Sequence, residues 1–198
     1  MTVQVAQIQQ ADHPPGTRFL VYAPAQMPMV VRAMAAQAAP LLAGQGKVAV
    51  IGVLRRGAPL ADMLARVLQD EFKLSVPLRL DLKVKRYADD LTLLHPETQL
   101  TESAGQAELD LKGYTLLVVD DVLYTGSSLL RVIDWLNARS PKAIHTAVLV
   151  DRHMAQLPIR ADAVGVHLQV APTDVVECHV PPYEPLFQIE LLRLDHAV

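Results

Sequence analysis

The sequence predicts an α/β fold in which a central, mostly parallel sheet is flanked by helices. Three observations lead there. Two short runs, KVAVIGVL at 47–54 and TLLVVD at 115–120, are apolar almost throughout and rich in β-branched residues, as strands buried on both faces are. Each is followed by a segment whose apolar residues recur at helical spacing. A third apolar run, AIHTAVLV at 143–150, extends the series, and strands that alternate with helices imply parallel pairing in a doubly wound sheet.

The elements follow in order. Residues 1–25 are mixed and carry Pro14, Pro15, Gly16 and Pro24, which suits a loose arm or an edge strand. From Ala25 to Leu42 the Ala- and Met-rich composition favours a helix, with Pro40, Gly44 and Gly46 marking its end. The 47–54 strand comes next. In RRGAPLADMLARVLQDEF, residues Leu60, Met63, Leu64, Val67 and Leu68 form one helical face, and Pro59 is tolerated in the first turn. SVPLRLDLKVKRY at 75–87 reads as a strand, since Leu78, Leu80, Leu82 and Val84 alternate with Arg79, Asp81, Lys83 and Lys85. Residues 88–112 have no period and form a long loop, a feature that usually serves function. The 115–120 strand leads into SSLLRVIDWLNARS, a helix with Leu129, Leu130, Ile133 and Leu136 on one face and Thr125 or Ser127 as its cap. Short strands around ADAVGV and DVVECHV close a chain read as one domain over 1–198.

Composition narrows the classes of function. The apolar set makes up 51% of 198 residues and the charged set 20%, as in a globular protein. The 18 basic and 21 acidic residues give a net charge of −3, which argues against bulk nucleic-acid binding. A lone cysteine, Cys178, fits an inert buried thiol in a reducing compartment. The first residues lack the basic start and apolar core of a secretory signal. No run approaches the roughly 20 apolar residues of a membrane span, so a cytoplasmic protein is expected.

Ligands of open parallel sheets bind beyond the carboxyl ends of the strands. Three segments meet that condition: GVLRRGAP, DDVLYTGSS and DRHMAQLPIRAD. In the second, Thr125, Gly126, Ser127 and Ser128 open a helix, whose first N–H groups and dipole favour an anion. Asp120 and Asp121 stand beside them, placed for sugar hydroxyls or for the water shell of Mg2+. The plainer alternative is a capped helix with two acids satisfying turn amides. GxxxxGKS and GxxxxGKT are absent, and the GxGxxA letters of Gly44 to Ala49 precede a strand instead of joining strand to helix, which makes them a chance match. The seven histidines show no ligand spacing. Arg79, Lys83, Lys85 and Arg86 form the compact basic cluster, either a solvated strand face or a contact for pyrophosphate or RNA.

VVDDVLYTGSS resembles the phosphoribosyl pyrophosphate (PRPP) motif of type I phosphoribosyltransferases, and DDVLYTG is most similar to the pyrimidine operon regulators that double as uracil phosphoribosyltransferases. GVLRRGAPLA resembles the family's pyrophosphate loop, RYADDL its YRDDL segment, and VLVDRHMAQLPIRADAVG its VLVDRxxxxLPIRADYVG, so that the likeness spans about residues 47–166. The resemblance implies a phosphoribosyltransferase fold with a mobile loop over 82–106 and a small C-terminal hood. It implies that Asp120 and Asp121 hold the ribose hydroxyls and, through water, Mg2+. Thr125, Gly126, Ser127 and Ser128 would cradle the 5′-phosphate. Arg55, Arg56 and Gly57 would bind pyrophosphate, often with a non-proline cis peptide nearby. Asp151, Arg152 and the backbone near Val164 would face the base. The implied reaction is uracil plus PRPP to UMP and pyrophosphate, by a homodimer or larger homo-oligomer. An RNA-binding regulator and a weakly active homologue are the alternatives.

The chain departs from the pattern at two points. Ser127-Ser128 stands where the family writes Arg-Thr, and Ala88 where YRDDL has Arg. Lys83, Lys85 or Arg86 would have to supply the lost charge, and Arg86 is the catalytic candidate among them. Losing one charge-assisted contact costs about 1.5–3 kcal/mol, a roughly tenfold to hundredfold effect on rate.

Overall fold

A computed structural model of the chain describes residues 16–76, 78–83 and 110–194. Its larger sheet has five parallel strands in the order β3-β2-β4-β5-β6: β2 (Val48–Leu54), β3 (Leu78–Lys83), β4 (Thr115–Leu123), β5 (Ala143–Asp151) and β6 (Ala163–His167). A smaller antiparallel sheet, β1-β8-β7, joins β1 (Gly16–Tyr22) to β7 (Val175–His179) and β8 (Gln188–Leu194). The hood is therefore built from both ends of the chain: Gly16 pairs with Leu194 and the N-terminal segment supplies an edge strand.

Among the described residues, three α-helices sandwich the larger sheet. α1 (Met27–Leu42) and α2 (Gly57–Asp70) pack on one face with Leu117 and Val119 of β4, and with Val176 and Cys178 of the hood. α3 (Ser127–Asn137) covers the other face, against Leu116 and Val118. From Leu116 to Val119 the residues of β4 thus alternate between two cores, as the period of 2 demands. α1 runs through Pro40 and ends at Leu42, the expected bound, and it starts at Met27 after a short 3-10 turn at Pro24–Gln26. Pro40 is exposed, and so is Ala36, whose carbonyl loses its helical donor on the side where water can replace it. On α3 the buried face is Leu129, Val132 and Leu136, whereas Leu130 is 44% exposed, one step off the expected stripe. β3 starts at Leu78, so Ser75 and Val76 of the expected strand precede it and residues 84–87 lie outside the described residues; Trp135 packs against the α3-side core with the Arg139 guanidinium over its ring.

Chain order places the site. From β2 the path moves outward to β3, then returns to the other flank of β2 as β4. The loops after β2 and β4 leave a crevice at this switch point, where open α/β sheets take their ligands. Two glycines let α2 close the floor. A Cβ on Gly52 would lie 2.5 Å from the Ala58 Cα, and one on Gly57 would lie 2.4 Å from the Val119 carbonyl oxygen. Among the described residues, no helix is long and apolar enough to cross a membrane.

Candidate functional site

Asp120 and Asp121 end the buried stretch of β4, at 5% and 4% exposure. Asp121 faces the start of α2, with Oδ2 4.0 Å from Arg56 Nη1. Each carboxylate accepts from the next backbone amide: Asp121 N–H to Asp120 Oδ1 at 2.9 Å, Val122 N–H to Asp121 Oδ1 at 3.1 Å. These bonds hold both side chains from the backbone, which suits acids set ready for hydroxyl groups.

The chain then turns through Tyr124 and Thr125 to Gly126, which stands at φ 88° as the N-cap of α3. This left-handed conformation is one glycine adopts without cost. The cap has no side-chain bond of its own; Ser127 N–H reaches Thr125 Oγ1 at 3.4 Å, and the Thr125 hydroxyl donates to Ser127 Oγ at 3.2 Å. Leu157 and Ile159 pack 3.6–3.7 Å from the Cβ position of Gly126, bringing the LPIR segment against this turn. The Gln156 N–H donates to the Thr125 carbonyl at 3.1 Å and ties the two loops together.

Across the crevice, the Leu54–Arg55 peptide is cis and is not followed by proline. Arg55 is exposed and lies over the Tyr183 ring at 5.0 Å, while Arg56 turns inward. Arg56 Nε donates to Glu184 Oε1 at 3.0 Å, and its Nη1 lies 4.0 Å from Asp121 Oδ2. The other oxygen of Glu184 accepts the Val180 N–H at 2.8 Å. Burial alone would lower the Arg56 pKa, but the bond and charge of Glu184, then the charge of Asp121, raise it above the ordinary value. Burial would raise Glu184; the Arg56 and Val180 donors outweigh it and hold the carboxyl below its usual range. Behind them Cys178 is buried, 3.9 Å from the Asp121 carbonyl, and burial pushes its thiol well up, with Asp121 adding to the effect. It behaves as a core residue.

Glu184 was silent in the sequence because its partner is 128 positions away. Glu184→Gln should lower stability by about 1–2 kcal/mol at pH 7 through loss of a charged, partly exposed hydrogen bond, or ~3–6 °C in Tm. Because the folded carboxyl titrates below its unfolded value, its contribution is complete above the ordinary carboxylate range and fades as pH falls through the depressed value. The Tm gap between Glu184→Gln and the parent should therefore narrow on acidification below about pH 4, which thermal melts across pH will read.

The three residues expected at the base lie apart. Asp151 ends β5 and lines a cleft of about 500 Å³ together with Leu123, His153, Leu157, Ile159 and Arg160. Arg152 is buried, with Nη2 donating to the Asp174 carbonyl at 2.7 Å and its guanidinium over the Tyr124 ring. It clamps the 171–174 turn beneath the β4 end. Val164 sits back along β6, where the Gln37 side chain takes both its C=O, at 2.8 Å, and its N–H, at 3.2 Å. At the crevice end of β6 the residue opposite Asp151 is His167. In the basic cluster, Arg79 is engaged by Asp62 at 2.8 Å and Asp81 at 2.7 Å. Lys85, Arg86, Ala88 and most of the expected 82–106 loop lie outside the described residues.

The chain is similar to known proteins over most of its length. A family model described as a phosphoribosyl transferase domain matches residues 21–184. The bifunctional protein PyrR of Thermus thermophilus is 36% identical over 155 residues, 78% of this chain and 84% of that protein. PyrR of Haemophilus ducreyi is 33% identical over 145 residues, 73% and 79% of the two chains. Among solved structures, a hypoxanthine phosphoribosyltransferase from Trypanosoma cruzi in complex with the product IMP superposes with a TM-score of 0.69 over 93% of this chain and 98% of that one, at 20% identity. A second structure of the Trypanosoma cruzi enzyme gives 0.70 over 92% and 95%, at 22% identity. At such identities the structural likeness speaks to the fold alone.

Proposed function

The chain belongs to the phosphoribosyl transferase domain family, and from that premise we propose that it transfers the phosphoribosyl group of PRPP to uracil. One observation carries the reading: the Asp120–Asp121 pair runs through Thr125 into a glycine-capped helix start, directly across the switch point from Arg55 and Arg56. Sugar hydroxyls, 5′-phosphate and pyrophosphate each have a matching group around one crevice. The pyrimidine assignment rests on the relatives named PyrR and on the LPIRAD segment beside the cleft.

In this reading Asp120 and Asp121 accept the ribose hydroxyls and set the ring across the end of β4. The N–H groups of Ser127 and Ser128 and the hydroxyls of Thr125 and Ser128 receive the 5′-phosphate at the positive end of α3. Arg55, exposed at the mouth, meets the pyrophosphate; Arg56, tied to Glu184, holds the loop in place and adds its field. A nitrogen of uracil attacks C1 of the ribose as the C1–O bond to pyrophosphate breaks, and its proton leaves to solvent. The paired carboxylates offer only oxygen donors, the set that suits Mg2+ held through its water shell. Bound Mg2+ would neutralise charge on the departing pyrophosphate.

Base choice is tested by comparing kcat/KM for uracil and for hypoxanthine at saturating PRPP. Uracil should lead by at least about a hundredfold, since a site built for one set of hydrogen bonds rejects a base that leaves them unpaired. Equal rates, or a lead for hypoxanthine, would remove the pyrimidine assignment while leaving the transferase reading intact.

A further inference from the structure

We propose that Asp151, His153 and His167 form a binding site for a borderline divalent metal ion of the Zn2+ class at the rim of the cleft, separate from the Asp120–Asp121 pair. Parallel pairing of β5 and β6 sets Asp151 opposite His167 at the strand ends. Two residues on, His153 adopts a left-handed φ of 53°. His167 Nδ1 and His153 Nε2 come within 3.0 Å, and the two rings lie 13° from parallel. Asp151 Oδ2 is 3.8 Å from His153 Nδ1 and 3.9 Å from His167 Nδ1. One ligand atom from each residue falls within 4.8 Å of the others.

The donor set decides the ion. Two imidazole nitrogens with one carboxylate oxygen suit Zn2+ and its neighbours, whereas Mg2+ takes oxygen alone. Tetrahedral Zn2+ with bonds near 2.0–2.1 Å needs ligand atoms about 3.3 Å apart. Ligation through Asp151 Oδ2 and His167 Nδ1 needs their 3.9 Å spacing to close by about half an ångström, and a single nitrogen of His153 must settle at the same distance from both, starting from a set within 4.8 Å. Side chains that are 50% and 58% exposed at His153 and His167 have room for that. Asp151 is already aimed: its Oδ1 accepts the His153 N–H at 2.8 Å, leaving Oδ2 toward the rings, the kind of outer bond that orients metal ligands. Three protein ligands leave a fourth position for water or for a molecule in the cleft. Bound Zn2+ would also engage Asp151 and so slow turnover; that consequence rests on the proposed function, whereas the binding does not.

The test is calorimetric titration of Zn2+ into the full chain in excess Mg2+, without PRPP or base. One Zn2+ per chain should bind, and His153→Ala and His167→Ala should each weaken it at least about tenfold. Both changes are at exposed positions, and thermal melts will verify that the variants fold. No Zn2+ uptake by the parent up to about 100 μM, or binding in either variant equal to the parent's, would overturn the site. With turnover established, Zn2+ should inhibit the parent and spare His167→Ala; inhibition of both alike, or of neither, would overturn the regulatory consequence. A chain inactive toward every base would leave the Zn2+ titration fully readable.

Discussion

Replacing Asp120 and Asp121 together with Asn should reduce PRPP affinity by at least about a hundredfold while leaving the fold in place. Each carboxylate is expected to accept a hydroxyl of the ribose, and a hydrogen bond to a charged acceptor contributes about 1.5–3 kcal/mol. Two such losses together amount to roughly 10²–10⁴ in binding. The fold should survive because the amide oxygen of Asn can still accept the Asp121 and Val122 backbone N–H groups that the carboxylates hold now. Arg56 loses the Asp121 charge 4.0 Å away but keeps its bond to Glu184, and two neighbouring buried acids no longer face each other, so Tm should change by only a few degrees. Calorimetry with PRPP and Mg2+, paired with a thermal melt, separates the two effects. Affinity equal to the parent's would mean that these acids only cap a turn.

The second large effect is steric. Gly57→Ala should cost about 2–3 kcal/mol, as overpacking against backbone does, lowering Tm by roughly 5–10 °C. The new methyl would meet the Val119 carbonyl oxygen at 2.4 Å and the Asp120 Cα at 3.1 Å, and neither atom belongs to a flexible side chain. The first turn of α2 must lift from β4, carrying Arg55 and Arg56 away from Asp121. PRPP affinity should therefore fall at least about tenfold in the fraction that remains folded, because misplaced loop groups lose charge-assisted contacts. Gly46→Ala is the matched control, with nothing within 4 Å of its Cβ position. It should stay within about 0.5 kcal/mol of the parent. A Gly57→Ala melt that coincides with that control would show that the close approach is not required.

The sheet was legible because β2, β4 and β5 are short apolar runs, and a strand buried on two faces announces itself locally. α2 was legible from its spacing, and the crevice from the ends of those strands. The hood was only partly so: DVVECHV was recognised, but QIELLRL, which becomes β8, was not, and β8 pairs with β1 across more than 150 positions without a local cue to the partner. Long range also hid the Arg56–Glu184 tie and the facing of Asp151 and His167. The motif named Arg152 and the backbone near Val164 as groups that face the base. Letters alone carry no sign that the Asp174 carbonyl would take the one and Gln37 the backbone of the other. Leu130 misled because consecutive leucines leave the phase of a helical stripe open by one residue.

Incubation of the chain with uracil, PRPP and Mg2+, with UMP and pyrophosphate measured together, tests phosphoribosyl transfer itself. The two products should form in equal amounts, depend on Mg2+ and be absent in Asp120→Asn/Asp121→Asn. No pyrophosphate release with uracil or with any purine base at saturating PRPP would contradict it.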